Sequence, residues 1–222
     1  MGRLAVAAAA GLAALVLAPH IVFASPARPA AACARGYSYG GYASRTGVRG
    51  AAASIAATRV PTVASGHAAA WVGVGGVHQA RGGSSAWLQA GVAAFSGQGL
   101  RLYVEEVSAG RQREFSDLGR AEPGRRYRVA VVETAPDVWQ ATVEGRAVGE
   151  PAYLPTGGES WRAVATAESW TAGPRRCNSF DYRFDRVAVL AGLGWTPLAD
   201  AQLVGRGVSR EGAGFSAASK PS

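Results

Sequence analysis

Short strand-like runs separated by turn signals fill the chain beyond residue 35, and this feature limits the possible folds most. Runs such as AWLQAGVAAF, Ala86–Phe95, alternate in side-chain character and end at segments rich in Gly, Pro or Ser. Helix-period patterns are scarce, and glycine is abundant, with 30 residues of 222. Many short strands with regular turn spacing predict an all-β chain, folded as an antiparallel sandwich or barrel.

The N-terminus predicts a secretory signal peptide over residues 1–24. Arg3 supplies a short positive region, Leu4–Ala18 is apolar, and Val22–Ala24 has the small residues at which a signal peptidase cleaves. An uncleaved membrane anchor is the alternative, but the apolar region is short for a membrane span. We therefore expect a secreted, extracellular protein with no membrane association after cleavage.

The rest of the chain divides by composition into three parts. Residues 25–35, which begin SPARPAAA, are predicted to be a flexible leader, and residues 36–204 to be the β-sandwich domain. Residues 205–222 are rich in Gly, Ser and Ala, so we expect a flexible C-terminal tail. The length fits one folded domain, and no internal repeat is evident. We also expect a monomer.

The two cysteines, Cys33 and Cys177, predict a disulfide, because an even count in an exported chain favours pairing. Such a bond would close a loop of well over a hundred residues and stabilise the fold by about 3–5 kcal/mol. Two free thiols are the alternative. With His67 and His78, the cysteines do not have the spacing of a tetrahedral zinc site. We expect no metal and no other cofactor.

The formal net charge of +8 comes almost entirely from arginine. Such a balance is one indication of nucleic-acid binding, but the arginines are scattered and form no long basic run. We therefore expect no nucleic-acid partner, and we assign most arginines to solvated strand faces and turns. Weak attraction to acidic polymers or surfaces is a secondary possibility.

Polar residues lie inside two of the apolar strands. In one predicted strand Trp87, Gln89 and Gly91 share a face, and in another Glu168 and Trp170 do so. A glutamine and a glutamate flanked by tryptophan and small residues suit the wall of a groove. The simpler interpretation, a half-exposed strand with polar residues on its solvated face, is more common.

Four motifs taken together resemble the eqolisin family of secreted glutamic endopeptidases. They are AAAWVGVGG, WLQAGV, LYVEEV and TAESW, in this order, and the resemblance spans residues 48–184. It implies a concanavalin- or lectin-like jelly roll, a two-sheet β-sandwich with a concave face that binds a polypeptide substrate. The chain departs from the family pattern at Gly75, where an aspartate is usual.

The resemblance also implies the site residues. Gln89 and Glu168 would be the catalytic pair. By the same mapping, Trp71, Tyr103 and Glu105 would be substrate-binding residues. Trp87 and Trp170, which share strand faces with Gln89 and Glu168, complete the predicted substrate-binding set. In the Tyr103 strand the register is open, because Glu106 is as close a candidate as Glu105.

The implied chemistry is hydrolysis of a peptide bond by an activated water. Glu168 would take the proton of the water and return it to the leaving amine, while the Gln89 amide would donate to the developing oxyanion. Two adjacent carboxylates share a proton, so an amide in place of one of them leaves a single titrating group.

A second hypothesis retains the predicted β-sandwich but gives it no catalytic activity. Lectin-like sandwiches bind carbohydrate or peptide through tryptophan and tyrosine, and Trp71, Trp87, Trp161 and Trp170 lie on or beside the groove strands. The chain would then be a non-catalytic binding module. Several of these tryptophans could also simply fill the core between the sheets.

Overall fold

The described residues form an almost entirely β structure. The computed structural model describes residues 35–77, 79–108, 110–155, 161–173, 177–197, 201–205, 208–211 and 214–219. Within these ranges lie fifteen strands, β1–β15, and a single short 3-10 turn at Arg81–Gly83. The described ranges contain no helix with the length and apolar character needed to cross a membrane.

One sheet has seven antiparallel strands. They are β1 (Gly36–Gly47), β3 (His67–Gly76), β4 (Ala86–Phe95), β5 (Leu100–Val107), β6 (Glu114–Arg120), β10 (Arg162–Thr171) and β13 (Ala201–Gly205). Their order across the sheet is β13-β1-β10-β3-β4-β5-β6. The sheet therefore places β10 beside β3, although about ninety residues separate them in the chain.

The other sheet is also antiparallel. Its strands are β2 (Gly50–Ala57), β7 (Tyr127–Ala135), β8 (Val138–Val143), β9 (Arg146–Tyr153), β11 (Asp181–Ala191), β12 (Gly194–Pro197), β14 (Val208–Glu211) and β15 (Gly214–Ala218). Their order is β14-β15-β11-β2-β7-β8-β9, and β12 pairs with β11 off this path. The prediction of an all-β, two-sheet antiparallel sandwich is confirmed.

The core lies between the two sheets and follows from the alternation of side chains along each strand. Val72, Leu88 and Val92 of the first sheet pack with Ile55 and Phe184 of the second, and all five are at most 1% exposed. Each fully buried side chain of this size stabilises the fold by about 1.5–3 kcal/mol. Residues between them in sequence point to the opposite face.

That opposite face of the seven-stranded sheet carries a second, smaller apolar cluster. Ala69, Ala93 and Tyr103 are its buried members, and Trp71 and Phe95 pack against them. The cluster lies on β3, β4 and β5, the central strands, so any polar side chain among these residues has a rigid backbone beneath it.

The C-terminal region differs from the prediction of a flexible tail over residues 205–222. β14 and β15 lie in this range, and β15 pairs with β11. Phe215 is 2% exposed and its ring stacks on Phe184 at a centroid distance of 4.3 Å. The burial of Phe215, which alternates with Ser216, accounts for the strand. The Gly- and Ser-rich composition of this segment had predicted a flexible tail instead.

The N-terminal predictions fall outside the described residues. The signal peptide at 1–24, nearly all of the leader at 25–35, and Cys33 belong to this part of the chain. Cys177 is described, but its pairing with Cys33 stays a prediction.

Candidate active site

The candidate site is built on the outer face of four neighbouring strands, β10, β3, β4 and β5. Gln89 of β4 pairs with Gly73 of β3 on one side and Glu105 of β5 on the other. Glu168 of β10 pairs with Ala69 of β3. Because side chains alternate across a strand, Gln89 and Glu168 both project from the face that holds the smaller apolar cluster.

Glu168 is held at both carboxylate oxygens. Trp71 Nε1 donates to Oε2 over 3.1 Å, and His67 Nε2 lies 2.8 Å from Oε1. The Glu168 side chain is only 11% exposed. A buried carboxylate needs such partners, because burying an unpaired charge is costly. The two contacts occupy about half of the carboxylate's acceptor positions and leave the others free for a further donor.

Gln89 is held by a tyrosine. Its Nε2 donates to the Tyr103 hydroxyl over 3.2 Å, and Gln89 and Tyr103 are 7% and 2% exposed. Burial, together with the negative charges of Glu168 and Glu105, raises the pKa of Tyr103 well above its usual value. The phenol therefore stays neutral, and one N–H of the Gln89 amide remains available to a ligand.

Glu105 forms a second polar centre beside Gln89. Its Oε1 accepts from Trp87 Nε1 over 3.0 Å and lies 3.5 Å from Arg113 Nε. Burial raises the pKa of Glu105, and the Arg113 charge and the Trp87 hydrogen bond oppose that rise. The Arg113 guanidinium also lies 5.7 Å from the centre of the Trp87 ring, within cation–π range.

Two tyrosines of β1 form the rim. The rings of Tyr37 and Tyr39 stack at 5.9 Å and are about half and two-fifths exposed. Burial of its hydroxyl, with the nearby Glu168 charge, raises the pKa of Tyr39 above its usual range. Both rings border the site and offer flat apolar surface to a ligand.

Two cavities meet at the polar residues. The larger, about 380 Å³, extends toward the β3–β4 connection and β1. It is lined by Tyr37, Tyr39, Ala43, Trp71, Val74, Gly75, Gly76, Val77, Gln79, Trp87, Gln89, Glu105, Arg113, Val164, Thr166 and Glu168. The smaller, about 240 Å³, is lined by His67, Ala69, Gln89, Ala93, Phe95, Tyr103, Glu105, Arg113, Phe115 and Glu168. Gln89 and Glu168 thus border both cavities.

Gly75, where the family pattern has an aspartate, lines the larger cavity with a backbone that favours glycine. Its φ is +87°, and a Cβ built there would lie 2.2 Å from the carbonyl oxygen of Ala86. The chain therefore has no room at this position for the aspartate of the family pattern without moving β4.

The structure brings most of the sequence-predicted site residues together. Gln89 and Glu168 border both cavities, and the predicted substrate-binding residues that border at least one are Trp71, Trp87, Tyr103 and Glu105. Of the two candidate glutamates, Glu105 pairs with Gln89 and borders both cavities, whereas Glu106 pairs with Leu88 and accepts a hydrogen bond from Ser108 Oγ.

Trp170 and Trp161 lie elsewhere. Trp170 borders neither cavity and instead stacks against His67, with ring centroids 6.5 Å apart. Trp161 is 4% exposed and donates to the Leu154 carbonyl, so it belongs to the core. The prediction that Trp170 directly contacts a ligand has no support in this arrangement.

Sequence reasoning missed His67, Arg113 and the β1 tyrosines. The alternation of His67, Ala69 and Trp71 along one strand was a usable signal for His67, because it shares a face with a predicted site residue. Arg113 follows β5 in a connecting segment, where alternation does not predict which way a side chain points.

Among the described residues, no group of three or more His, Cys, Asp or Glu side chains could hold a metal ion. His78 lies outside them.

Comparison with solved structures identifies similar folds. A scytalido-glutamic peptidase with a peptide-based transition state analog aligns with a TM-score of 0.61 and 18% identity, over 81% of this chain and 96% of that chain. A structure of scytalido-glutamic peptidase with a transition state analog inhibitor gives 0.60 and 16% over the same shares. SCP-B, an eqolisin-family peptidase in complex with the tripeptide Ala-Ile-His, gives 0.55 and 18%, again over 81% and 96%.

At this level of identity the likeness shows the fold, which is eqolisin-like. No family model matches the chain, and no curated protein matches it. The similarity covers nearly the whole length of each neighbour, so it concerns the complete sandwich and not one hairpin.

Proposed function

We propose that the chain is a secreted glutamic-type endopeptidase that hydrolyses peptide bonds with Gln89, Glu168 and an activated water. The observation that carries the proposal is the position of this pair. Both side chains are nearly buried, both are fixed by hydrogen bonds, and both border the two cavities. The eqolisin-like fold supports the same conclusion, since the structures of the neighbouring peptidases were solved with a tripeptide or a transition state analog.

Glu168 acts as the base and then as the acid. As a carboxylate it accepts a proton from a water, and the water oxygen attacks the carbonyl carbon of the substrate. The same proton then passes to the amide nitrogen as the carbon–nitrogen bond breaks. Trp71 and His67 fix the direction of the carboxylate throughout. Atoms balance with one water consumed per bond cleaved.

Gln89 stabilises the charge that develops on the substrate. Its Nε2 uses one N–H to reach Tyr103, and the second is available to the oxyanion of the tetrahedral intermediate. Its carbonyl oxygen accepts from the attacking water. Because an amide does not titrate, this role is independent of pH.

The two cavities together form the binding site for an extended peptide. The smaller cavity, with Ala69, Ala93, Phe95 and Phe115, suits an apolar side chain on one side of the scissile bond. The larger cavity binds the substrate residues on the other side of the scissile bond. A polypeptide fits this arrangement better than a small molecule, because binding sites lie on both sides of the reacting groups.

The first test is a digest of an unfolded protein from pH 2 to pH 8 by the purified mature chain. We expect cleavage by the parent. Glu168→Gln should lower kcat/KM about 10²–10⁴-fold, and Gln89→Ala about 10²–10³-fold. Thermal unfolding of each variant shows whether its fold is retained.

Glu106→Gln is the matched control, because it makes the same change on a neighbouring carboxylate that borders neither cavity. It should keep close to the parental rate. Parental activity in a folded Glu168→Gln variant would refute the assignment of the base. If the parent cleaves nothing at any pH and its tryptophan fluorescence shifts with an oligosaccharide, the chain is instead a binding module.

A further inference from the structure

The residues that line both cavities include one arginine. The shared residues are Gln89, Glu105, Arg113 and Glu168. Among the described residues, Arg113 is also the only lysine or arginine that lines either cavity. The proposed reaction uses Gln89 and Glu168, so it leaves Arg113, a fixed positive charge at the junction of the two cavities, without a role.

The position of Arg113 follows from the pairing of β5 with β6. Phe115 of β6 pairs with Glu105 of β5, so the two side chains lie on the same face of the sheet. Arg113 comes two residues before Phe115, directly ahead of β6, and side chains two residues apart on an extended chain share a face. This explains why Arg113 and Phe115 both line the smaller cavity.

The guanidinium of Arg113 is held by two residues of the sheet. Its Nε lies 3.5 Å from Glu105 Oε1, and its central carbon lies 5.7 Å from the centre of the Trp87 ring. Because Nε makes the contact with Glu105, the two terminal nitrogens keep N–H groups for a further acceptor. The planar pair of terminal nitrogens matches the two oxygens of a carboxylate.

Two tyrosines of β1 add hydroxyl groups to these donors. Burial lowers the pKa of Arg113, but the Glu105 charge and a hydrogen bond with Tyr37 raise it by more, so Tyr37 lies next to the guanidinium. The ring of Tyr39 stacks on that of Tyr37, and both tyrosines line the larger cavity with Arg113. Since a phenol hydroxyl donates as well as accepts, an anion bound here meets both N–H and O–H donors.

The two carboxylates of the site lie deeper than Arg113. The Glu105 and Glu168 side chains are 12% and 11% exposed, whereas the Arg113 side chain is 50% exposed. Both carboxylates already accept a hydrogen bond from a tryptophan. An anion that approaches from the solvent therefore meets the guanidinium before either carboxylate.

We propose that Arg113, with Tyr37 and Tyr39, forms a subsite for a carboxylate of the peptide substrate, so that the chain prefers an acidic residue next to the bond it cleaves. The inference rests on the proposed function and names its substrate class. Because both tyrosines line the larger cavity, the acidic residue lies on that side of the scissile bond. An apolar residue in the smaller cavity lies on the other side.

Binding is tested with acetyl-Ala-Ala-Phe-Xaa-Ala-Ala-amide, in which Xaa is Glu, Gln or Lys. A second set with Phe and Xaa exchanged covers the opposite chain direction. Calorimetry at about pH 6, where a free glutamate is ionised, gives the dissociation constants in the Glu168→Gln background, so that hydrolysis does not consume the peptide. In one set the Glu peptide should bind about tenfold more tightly than the Gln peptide, and the Lys peptide should bind most weakly. Equal binding of the three peptides in both sets would overturn the proposal.

Substitutions of Arg113 identify the group that binds the carboxylate. Arg113→Gln should make the Glu and Gln peptides bind equally, and Arg113→Glu should make the Lys peptide bind most tightly. Arg113→Lys should keep part of the preference, because an ammonium has the charge without the planar pair of donors. Arg111→Gln is the matched control, since it removes the same charge two residues away and lines neither cavity. A preference that Arg113→Gln leaves unchanged, or that Arg111→Gln lowers equally, would contradict the assignment.

Glu105→Gln separates a direct effect of Arg113 from one that acts through its partner. This variant removes a competitor for the guanidinium, so the preference for the Glu peptide should be kept or increased. Loss of the preference in Glu105→Gln, as in Arg113→Gln, would mean that the ion pair and not the arginine is required. Tyr37→Phe removes a hydroxyl and keeps the ring, and it should lower the preference about threefold.

A peptide also carries a carboxylate at its C-terminus. Acetyl-Ala-Ala-Phe-Ala is therefore compared as the free acid and as the amide, with Arg113 present and in Arg113→Gln. We expect no difference that depends on Arg113, because an endopeptidase cleaves inside a chain. A preference for the free acid that disappears in Arg113→Gln would assign the subsite to the chain terminus and overturn the preference for an acidic residue.

The same peptides, used as substrates of the parent, separate the failure of each idea. The Glu peptide should have a kcat/KM about tenfold above that of the Gln peptide, and Arg113→Gln should abolish this ratio. If the parent cleaves no peptide but the binding order depends on Arg113, the subsite stands and the proposed reaction fails. If the parent cleaves all three peptides equally, or Arg113→Gln lowers kcat by one factor for all of them, the proposed function stands and the subsite is wrong.

Discussion

Gly75 combines a left-handed backbone with a close neighbour, so its substitution is a test at the scale of one residue. With φ at +87° and the Ala86 carbonyl 2.2 Å from an added Cβ, Gly75→Asp should lower the free energy of unfolding by at least about 1–3 kcal/mol. Urea denaturation measures the loss. Gly76→Ala is the control, because its nearest obstacle is the flexible end of the Gln79 side chain.

If Gly75→Asp were as stable as the parent, β3 and β4 would have to lie far enough apart at this point to hold an aspartate side chain. That result would contradict the steric conflict with the Ala86 carbonyl oxygen.

Glu105 gives a second residue-scale prediction, on pH and stability. Burial raises its pKa in the folded state, so the folded chain holds this proton more tightly than the unfolded chain, whose glutamates titrate near about 4.3. Its contribution to stability is therefore complete below that pH and is lost as the pH rises through the folded pKa. Unfolding in urea from pH 3 to pH 7 should show the parent losing stability relative to Glu105→Gln.

A parent that gains stability relative to Glu105→Gln as the pH rises would mean that Arg113 and Trp87 outweigh burial at this carboxylate.

At this scale the sequence supported some residues and not others. Gln89 and Glu168 were identifiable because each is a polar residue within an apolar alternating strand, inside a motif that resembles a known family. The contact between His67 and Glu168 was not, because 101 residues separate them and only the register of β10 on β3 places them together. Local alternation gives the face of a side chain but not its partner on the next strand.

At the scale of elements, alternation predicted the central strands well. β4 coincides with the predicted run Ala86–Phe95, and β10 contains the predicted strand that carries Glu168 and Trp170, since the apolar faces of both repeat every second residue. β14 and β15 were missed, because Gly, Ser and Ala give little contrast between faces and composition suggested a tail. β15 pairs with β11, a long-range interaction that no local pattern encodes, and β14 in turn pairs with β15.

A core aromatic tests whether β15 belongs to the sandwich. Phe215 stacks on Phe184 and forms a T-shaped pair with Tyr42, with ring centroids 5.1 Å apart, so Phe215→Ala should lower the free energy of unfolding by about 3–5 kcal/mol. Urea denaturation with tryptophan fluorescence measures it. Leu193→Ala, which removes a fully exposed apolar side chain, should change stability by less than about 0.5 kcal/mol. If Phe215→Ala and Leu193→Ala changed stability by equally small amounts, residues 214–218 would belong to a flexible tail and not to the sandwich.

At the scale of the whole molecule, the disulfide and export predictions belong together. An exported chain cleaved after Ala24 keeps both cysteines, and a Cys33–Cys177 bond would stabilise it by about 3–5 kcal/mol. Mass spectrometry of a non-reduced digest should detect the linked peptides, and N-terminal sequencing of secreted protein should begin at Ser25. Reduction should lower the stability of the parent to that of Cys177→Ser. Alkylation of both thiols in the unreduced protein would contradict the pairing.

The position of β10 between β1 and β3, out of sequence order, determines when the site can form during synthesis. The site needs β3, β4 and β5 from the first half of the chain and β10 from the second, with β1 on the far side of β10. A growing polypeptide that ends before Glu168 has Gln89 without Glu168, and β1 and β3 each have an open edge where β10 will pair. The proposed catalytic pair is therefore incomplete until β10 has been synthesised, and the pairing of strands distant in sequence is a slow step in folding.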